Sequence, residues 1–318
     1  MPHSAAKTVH VVNHEYADLS IERDILARAG YRVEEAFGDT AETLLESIRD
    51  SVGIVCIYAQ LNEALVSQLT ACRAISRPGV GYDMIDVAAC RRHGIEVSYL
   101  PSYGDGEVAT HGAAMALAMH QKLLDHYRQT TAGVWDFKRV PPVKSLKVST
   151  LGVIGLGRIG QAFLERMRPF VGEILVFDPV KTTLDLGPAV RLATLEEIYA
   201  SADIISLHCP LTAQTRHMLD AAAFARMHNN PLIINVSRGG LIDTPALIEA
   251  LENGQLRGAA LDVLEDEPTM ARGLMRDDVL LTPHTAWRSR ESEAEIRTRS
   301  SEELVRMLAG EPPLNRAP

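Results

Sequence analysis

Apolar and polar positions alternate in two different ways along the first part of the chain. Short apolar runs such as TVHVV (8–12), GIVCIYA (53–59) and IEVSYLP (95–101) have the length and composition of buried strands. Amphipathic runs such as SIERDILARAG (20–30) and EALVSQLTAC (63–72) lie between them and are typical of helices. This alternation predicts a parallel α/β sheet, and it ends at a proline, so we expect one small domain to close there.

A second alternation of the same kind begins near residue 149 and predicts a second parallel α/β domain. Residues 107–129 between the two are rich in Ala, Met and Leu and contain no proline, so we expect one long, mostly buried helix. Residues 130–147 contain two prolines and an isolated Trp135 but little periodicity. We interpret them as an extended arm of the kind that packs on another subunit.

Composition limits the classes of protein that fit this pattern. With 46% hydrophobic and 23% charged residues, the chain has enough apolar material for two cores. A net charge of −9 argues against a nucleic-acid partner, because binding to phosphates needs clustered Lys and Arg. No apolar run approaches the roughly 18 residues that a membrane span needs. The N-terminus lacks the charged and apolar pattern of a signal sequence. The four cysteines show no CxxC pair and no metal-ligand spacing, so we expect a cytoplasmic protein with unpaired thiols and no metal site.

The sequence VIGLGRIGQ (153–161) places three glycines between a predicted strand and a predicted helix. Gly155 permits a tight turn, Gly157 lets the backbone approach a pyrophosphate, and Gly160 lets the helix pack closely on the strand. The N-terminus of the helix then faces the phosphates. Such a glycine pattern is weak by itself, but in this context it predicts a dinucleotide-binding turn.

An acidic residue closes the next predicted strand, EILVFD (173–178). At this spacing from the glycines, Asp178 is expected to accept hydrogen bonds from the adenosine ribose hydroxyls. Its carboxylate would repel a 2′-phosphate, so the sequence favours NAD over NADP. The alternative is an acidic side chain that merely faces solvent at the end of a strand.

Four further apolar runs, at 203–210, 231–240, 258–268 and 279–287, each end in polar residues. In an open parallel sheet these ends face the ligand crevice. They offer a cation, an imidazole and several carboxylates, namely Arg238, His284, Asp262, Glu265, Asp266 and Glu267. A guanidinium that holds a substrate carboxylate, an imidazolium that protonates an alkoxide and a carboxylate that orients the imidazole suit hydride transfer. His208 is a rival for the imidazole, and spacing alone does not exclude it.

The ordered motifs GVGYDMID, GLGRIG, FDP, LHCPLT, NVSRGGLID, GAALDVLEDEP and TPHTAW resemble the D-isomer-specific 2-hydroxyacid dehydrogenase family. Within it they are most similar to the C-terminal-binding-protein-like branch. The resemblance implies that Arg238 binds the 2-oxo acid, that Glu267 pairs with the imidazole, and that His284 is the acid/base. It also implies that backbone amides near Val80 and Gly81 hold the substrate carboxylate.

The same resemblance assigns further residues to the cofactor and to the substrate pocket. It implies that Arg158 and Ile159 lie at the pyrophosphate, and that His208 is a neighbour of the cofactor. Further expected cofactor contacts are Cys209, Pro210, Thr215, Val236 and Asp262. Tyr58 and Trp287 are expected to line the pocket, although Trp287 could equally be a packing residue. Because the pocket segments IYAQL and HTAW carry no cation, we expect an unphosphorylated substrate, such as glyoxylate, pyruvate or an acid with a short apolar side chain.

The family architecture explains why the glycine turn comes so late in the chain. It implies two Rossmann-like or flavodoxin-like domains, each a parallel sheet flanked by helices, with the NAD domain inserted into a split substrate domain. The expected boundaries are 1–102 and 285–318 for the substrate domain and 103–284 for the NAD domain. Hinges are expected near Pro101 and near residues 283–286.

These observations predict an NAD-dependent oxidoreductase that interconverts a D-2-hydroxy acid and its 2-oxo acid, as a homodimer. The alternative is an NADH-sensing binding protein, a corepressor-like module with vestigial dehydrogenase activity. A weaker third interpretation keeps the fold but changes the hydride donor to formate or phosphite.

Overall fold

A computed structural model describes residues 7–183 and 186–318 of the chain. The chain divides into two compact units, each with its own sheet. The first unit comprises the described residues up to Tyr103 together with Ser289–Pro318, and the second unit is Gly104–Arg288.

The described part of the first unit contains a five-stranded sheet in which every neighbouring pair of strands is parallel. Its strands are β1 Lys7–Val12, β2 Tyr31–Ala36, β3 Gly53–Cys56, β4 Ala74–Arg77 and β5 Glu96–Tyr99. Their order is β2-β1-β3-β4-β5, the flavodoxin-like arrangement. The helices between them are α1 Ser20–Arg28, α2 Ala41–Ile48, α3 Glu63–Val66 and α4 Val87–Arg92.

The strand-like runs of the first unit are continuously apolar because both faces of the sheet are covered. Val9 and Val11 of β1 face one buried cluster of side chains, and Val12 faces another on the opposite side. Strands buried on both faces are expected in a parallel sheet whose crossover helices lie on both sides.

The second unit contains a seven-stranded sheet, again parallel at every pairing among the described residues. Its helices are α5 Asp105–His120, α6 Leu123–Thr131, α7 Arg158–Met167, α8 Leu195–Ser201, α9 Ala221–Ala225 and α10 Thr244–Glu252. Its strands are β6 Thr150–Ile154, β7 Glu173–Phe177, β8 Val190–Leu192, β9 Ile204–Leu207, β10 Leu232–Asn235, β11 Gly258–Leu261 and β12 Val279–Leu281.

The strand order of the second sheet, β12-β11-β10-β9-β6-β7-β8, is the Rossmann order with one added edge strand. The order reverses between β6 and β9, and ligands of open α/β sheets bind at the carboxyl ends of strands at such a reversal. The glycine turn follows β6, and the polar residues expected to carry chemistry follow β10, β11 and β12. The fold therefore directs all of these segments to one edge of one sheet.

The last helix, α11 Arg290–Leu308, belongs to the first unit. It packs against α1, where Arg297 donates two hydrogen bonds of 2.8 Å to the buried carboxylate of Glu22. Leu304 and Leu308 of the same helix lie in an apolar cluster with β1 and β3. The first unit is thus assembled from segments at both ends of the chain, as the resemblance implied.

The boundary between the second unit and the C-terminal segment lies after Arg288, not after His284 as expected from the sequence. The backbone amides of Thr285 and Ala286 both donate to the carboxylate of Asp262. Ala286 is buried in the core of the second unit, and Trp287 packs against it. Residues 285–288 are therefore held in the second unit by hydrogen bonds and burial.

The long helix predicted over residues 107–129 is two helices in the structure. α5 ends at His120, and α6 begins at Leu123 after Lys122, whose φ of 52° is left-handed and cannot continue a helix. Composition alone did not reveal this break, because lysine is an ordinary helix former.

The helices in the described part of the chain are either too short or too polar to cross a membrane. Cys56, Cys72, Cys90 and Cys209 are free thiols, and the first three are buried.

Candidate functional site

The glycine turn of the second unit joins β6 to α7 and leaves the start of that helix open. Gly155 has a φ of 95°, and a Cβ there would lie 2.7 Å from the backbone of His208 and Cys209. A Cβ at Gly160 would overlap the carbonyl oxygen of Gly155, whereas a Cβ at Gly157 would meet no atom of the described residues within 4 Å. Two glycines are thus required by the protein's own packing, and the third borders open space.

The first turn of α7 has no side-chain cap, and Gly157 occupies the capping position. The backbone amides of this first turn therefore point outward at the positive end of the helix, which suits an anionic group. This combination of an uncapped helix start and an open glycine fits the pyrophosphate of a dinucleotide.

Arg158 and Ile159, expected at the pyrophosphate, are the first two residues of α7. The Arg158 guanidinium lies on the exposed side of the helix and donates from Nε to Oδ2 of Asp105, 2.9 Å away. The Ile159 side chain packs against the apolar core of the unit, so only its backbone amide is suited to a phosphate. The sequence did not indicate Asp105 as a partner of this arginine.

Asp178 follows β7 beside the glycine turn. Its Oδ2 accepts a hydrogen bond of 2.7 Å from the Leu156 amide, and its Oδ1 accepts one of 2.9 Å from the Val180 amide. The alternative of a carboxylate that only faces solvent is therefore wrong. A carboxylate has about four acceptor sites, so Asp178 can hold the turn and still accept from ribose hydroxyls.

The segment after β9 contains three of the expected cofactor residues. Thr215 Oγ1 donates to the carbonyl of Pro210 at 2.7 Å and accepts from the Thr212 amide, so it closes a tight turn. Cys209 is partly buried with its sulfur 3.6 Å from that of Met218, and burial raises the pKa of the Cys209 thiol to about 11. These residues shape the rim next to the glycine turn.

Val236, the remaining apolar member of the expected cofactor residues, is buried after β10. A Cβ on Gly112 of α5 would touch it at 3.4 Å. Val236 therefore forms part of the contact between α5 and the sheet.

His208 is a poor candidate for an acid/base. Its Nε2 lies 2.9 Å from Ser206 Oγ, its Nδ1 is buried without a hydrogen-bond partner, and its ring packs on Phe163. Burial lowers the pKa of His208 to about 3, so the ring is neutral at ordinary pH. A neutral imidazole that stays neutral cannot deliver a proton to an alkoxide.

His284 and Glu267 form the pair that the resemblance implied. Nδ1 of His284 lies 2.8 Å from Oε2 of Glu267, and Oε1 of Glu267 accepts from the Leu264 amide at 2.8 Å. Burial raises the pKa of Glu267, but the hydrogen bond and charge of His284 outweigh burial and hold this pKa below its usual range. Glu267 is therefore ionised when the imidazole beside it carries a proton.

Arg238 completes the group at the carboxyl end of β10. Its positive charge also lowers the pKa of Glu267, and the backbone at Gly239, the next residue, contacts the peptide between Leu264 and Glu265. The backbone around Arg238 is held by Asn235, a fully buried amide that donates to the Arg238 carbonyl at 2.9 Å. The structure thus brings together the cation, carboxylate and imidazole that the sequence singled out.

Asp262 was expected among the cofactor contacts, and the structure gives it a further role. Its buried carboxylate accepts hydrogen bonds from Thr282 Oγ1 at 2.6 Å and from the amides of Thr285 and Ala286 at 2.9 Å. The amide of His284 in turn donates to the Asp262 carbonyl. Asp262 therefore fixes both sides of the segment that presents the imidazole.

His284 itself has a φ of 51°, a conformation that few residues other than glycine adopt. Another histidine supports this segment from α5, since His111 Nε2 lies 3.0 Å from Thr282 Oγ1. The threonine hydroxyl gives its only proton to Asp262, so it accepts from His111. The sequence held no signal for this contact, because 171 positions separate the two partners.

Trp287, expected to touch the substrate, packs against the apolar core of the second unit. Its backbone carbonyl also lies next to Gly104, where a Cβ would come within 3.1 Å of it. Packing is therefore part of its role, and contact with the substrate stays a prediction.

The expected substrate residues of the first unit follow two neighbouring strands. Tyr58 comes after β3, and Val80 and Gly81 lie in the loop after β4; the side chains of Tyr58 and Val80 are exposed. Arg77, at the end of β4, donates to the carbonyls of Pro78 and Gly81 and so ties this loop. No pattern in the sequence indicated Arg77.

Known proteins resemble this chain in family, in sequence and in structure. The model of a family described as D-isomer specific 2-hydroxyacid dehydrogenase, NAD binding domain, matches residues 113–286. A D-3-phosphoglycerate dehydrogenase of Methanocaldococcus jannaschii is 37% identical over 291 residues, which cover 90% of this chain and 55% of that protein. A glyoxylate reductase of Thermofilum pendens is 32% identical over 283 residues, which cover 86% of this chain and 83% of that protein.

Among solved structures, a D-lactate dehydrogenase of Aquifex aeolicus with bound NAD and lactic acid superposes with a TM-score of 0.83. It is 26% identical, and the match covers 95% of this chain and 96% of that one. The chain spans about half the length of the phosphoglycerate dehydrogenases that it matches.

Proposed function

The chain belongs to the D-isomer-specific 2-hydroxyacid dehydrogenase family, and from this premise we propose that it is an NAD-dependent oxidoreductase that interconverts a D-2-hydroxy acid and its 2-oxo acid. The observation that carries the proposal is the contact of 2.8 Å between His284 and Glu267, with the Arg238 charge beside it. This is the arrangement that proton transfer coupled to hydride transfer requires.

The second unit supplies the residues that would hold NAD. The open start of α7 would face the pyrophosphate, Asp178 would accept from the adenosine ribose, and Arg158 would balance phosphate charge. The expected contacts of Cys209, Pro210, Thr215, Val236 and Asp262 complete this set. When bound as NADH, the cofactor supplies the hydride that reaches the carbonyl carbon of the 2-oxo acid.

Arg238 binds the substrate carboxylate and polarises the adjacent carbonyl, since a guanidinium presents several donors in a plane. The amides of Val80 and Gly81 are the further proposed donors to that carboxylate. Tyr58 and Trp287 are proposed to limit the size and polarity of the substrate side chain.

His284 donates a proton from Nε2 to the carbonyl oxygen during reduction and takes it back during oxidation. Its Nδ1 is engaged by Glu267, which fixes the orientation of the ring and stabilises its charged form. Reduction uses the protonated imidazole and oxidation uses the neutral one, so the rate of reduction should fall as pH rises and the rate of oxidation should fall as pH drops.

A steady-state screen of 2-oxo acids tests this function. We expect NADH-dependent reduction of glyoxylate, pyruvate or acids with short apolar side chains, with a higher kcat/KM than for 3-phosphohydroxypyruvate. The phosphorylated acid should be the poorer substrate because burying its phosphate dianion without a paired cation costs several kcal/mol. Trp287→Ala should broaden the range of side chains accepted.

A clear preference of the wild-type protein for the phosphorylated acid would contradict this account of the pocket. Traces of turnover with every acid, together with tight NADH binding, would instead favour the NADH-sensing alternative. The expected homodimer and the branch within the family stay predictions.

Cofactor choice gives a second test at Asp178. Asp178→Ser should narrow the preference for NAD over NADP, because it removes a carboxylate that repels the 2′-phosphate. It should also raise KM for both cofactors, since the bond to the Leu156 amide is lost. Comparison of kcat/KM for NADH and NADPH in both proteins measures the change, and a wild type that prefers NADPH would contradict the ribose assignment.

A further inference from the structure

A cluster of polar side chains that the proposed mechanism does not use surrounds Glu265. Its Oε1 accepts from His217 Nε2 at 2.5 Å and from Arg216 Nη2 at 3.1 Å. Its Oε2 lies 3.3 Å from the hydroxyl of Thr244, in the first turn of α10. Asp243 lies on the other side of the imidazole, with Oδ2 3.9 Å from His217 Nδ1.

The cluster joins the segments that follow three adjacent strands. Arg216 and His217 come after β9, Thr244 comes after β10, and Glu265 comes after β11. Because parallel strands end at the same edge of the sheet, their following segments meet there. The Glu265 carboxylate, on the third of these segments, thus receives hydrogen bonds from the other two.

Two of these stretches carry residues of the proposed catalytic group. Glu265 is two positions before Glu267, and Gly239 directly follows Arg238. A Cβ at Gly239 would overlap the peptide between Leu264 and Glu265, so the two backbones are already in contact there. The amide of His217 donates to the carbonyl of Gly240, which ties the third stretch to the second.

The environment of Glu265 makes this connection specific. Its side chain is only 16% exposed, so its charge is largely removed from water and needs partners. Burial raises the pKa of Glu265. The hydrogen bond and charge of His217, together with the hydrogen bonds of Thr244, outweigh burial and hold this pKa below its usual range. Loss of His217 would leave the largely buried Glu265 carboxylate without its shortest hydrogen bond, and the segments would move apart to rehydrate it.

We propose that Glu265 and His217 are positioning residues that fix Arg238 relative to the Glu267–His284 pair. This inference rests on the proposed function, since it concerns the geometry of that catalytic group. Neither residue touches the reacting atoms in this account. They act through the backbone of the segments before Glu267 and after Arg238, where a shift of about 1 Å can cost roughly 10²-fold in rate.

The test is a double-mutant cycle with Glu265→Gln and His217→Gln. Each single variant should lower kcat for the 2-oxo acid by about 10-fold or more, with a smaller change in the dissociation constant of NADH. The double variant should be no slower than the worse single one, because the two residues act as a unit and two amides can hydrogen-bond to each other. Independent, multiplying effects would overturn the proposal.

A matched control is available at the amino ends of the strands of the same sheet, away from the proposed catalytic group. His120 is buried, with Nε2 2.8 Å from the Lys144 carbonyl and Nδ1 2.9 Å from Arg257 Nη2. His120→Gln also disturbs a buried polar network, and it should lower Tm while leaving kcat near the wild-type value. If Glu265→Gln also lowers Tm but leaves kcat within twofold of the wild type, Glu265 has only a structural role and the proposal is wrong.

If the proposed function is wrong, the wild-type protein will reduce no 2-oxo acid, and this result is distinct from the outcomes above. A crystal structure of Glu265→Gln would then decide the positioning claim by itself. The proposal expects the backbone of 263–267 to shift relative to 238–240, whereas superposition of these segments on the wild type would overturn it.

Discussion

At the scale of single residues, the structure separates two histidines that the sequence left as rivals. His284 is half-exposed and paired with a carboxylate, while His208 is locked beside a serine and an aromatic ring. The difference lies in partners contributed by other segments. The residues next to either histidine in the sequence do not indicate which partners its ring will meet.

This separation predicts the effect of substitution. His284→Ala should lower kcat by roughly 10²-fold or more, the usual contribution of a general acid, while NADH binding survives. Glu267→Gln should lower kcat as well, because the imidazolium loses its partner charge. Steady-state kinetics and NADH titration by fluorescence measure both effects.

His208→Gln is the control for these variants. It alters the other candidate imidazole, which lies beside the glycine turn. We expect a smaller loss of kcat than in His284→Ala. Near-normal turnover in His284→Ala with a severe loss in His208→Gln would reverse the assignment.

At the scale of elements, the glycine turn shows how one short segment meets two different demands. The protein's own packing excludes a side chain at Gly155 and Gly160. Open space surrounds Gly157, and there only a bound ligand would exclude a side chain.

Alanine substitution should separate these demands. Gly157→Ala should keep the wild-type Tm, because its Cβ meets no atom in the described part of the chain, and should weaken NADH binding by at least about 10-fold through contact with the pyrophosphate. Gly160→Ala should lower Tm, since its Cβ overlaps the Gly155 carbonyl. Thermal melts and NADH titrations distinguish the two, and unchanged NADH affinity in Gly157→Ala would contradict the cofactor site.

At the scale of the whole molecule, buried histidines link stability to pH. His10, His14 and His120 are buried, and burial lowers the pKa of each below 6.5. Around His120, Arg257 and Lys144 add to this effect, while Asp203 and the Lys144 carbonyl oppose it. The folded state therefore keeps these rings neutral where the unfolded chain would protonate them.

The sign of the pH effect follows from this difference. Below pH 6.5 the unfolded state binds more protons than the folded state, so stability falls as pH drops. Each histidine kept neutral contributes at most about 1.4 kcal/mol per pH unit. We expect a lower Tm at pH 5.5 than at pH 7.5, and a smaller difference in His120→Gln; an equal or higher Tm at pH 5.5 would contradict this.

The arm after α6 bears on assembly. Trp135 and Phe137 of the arm are 93% and 79% exposed, and Leu123 and Tyr127 of α6 and Val148 after the arm are also exposed. Exposed large apolar side chains that lie close together in the sequence suit an interface with another subunit. We expect a homodimer in sedimentation experiments, and Trp135→Ser with Phe137→Ser should shift it toward the monomer; Val180→Ser, at another exposed apolar residue, should not.

The sequence by itself determined the two α/β domains and the dinucleotide turn. It also offered Arg238, His284 and several carboxylates at the strand ends, among which the family resemblance selected Arg238, Glu267 and His284. These features are local, because hydrophobic periodicity reports which face of an element is buried and glycine spacing reports backbone geometry. The carboxyl ends of parallel strands share one edge of a sheet, so residues that follow different strands could be placed together before any contact was known.

Only the tertiary structure decided which donors each polar group meets. Asp262 and Asp178 were expected as ligands of the cofactor, yet both carboxylates also hold backbone amides of their own chain. Likewise, the links of Glu265 to His217 and of Asp105 to Arg158 join residues 48 and 53 positions apart. A carboxylate in a sequence does not reveal which donors it will meet, because those donors come from segments that only the packing of elements brings beside it.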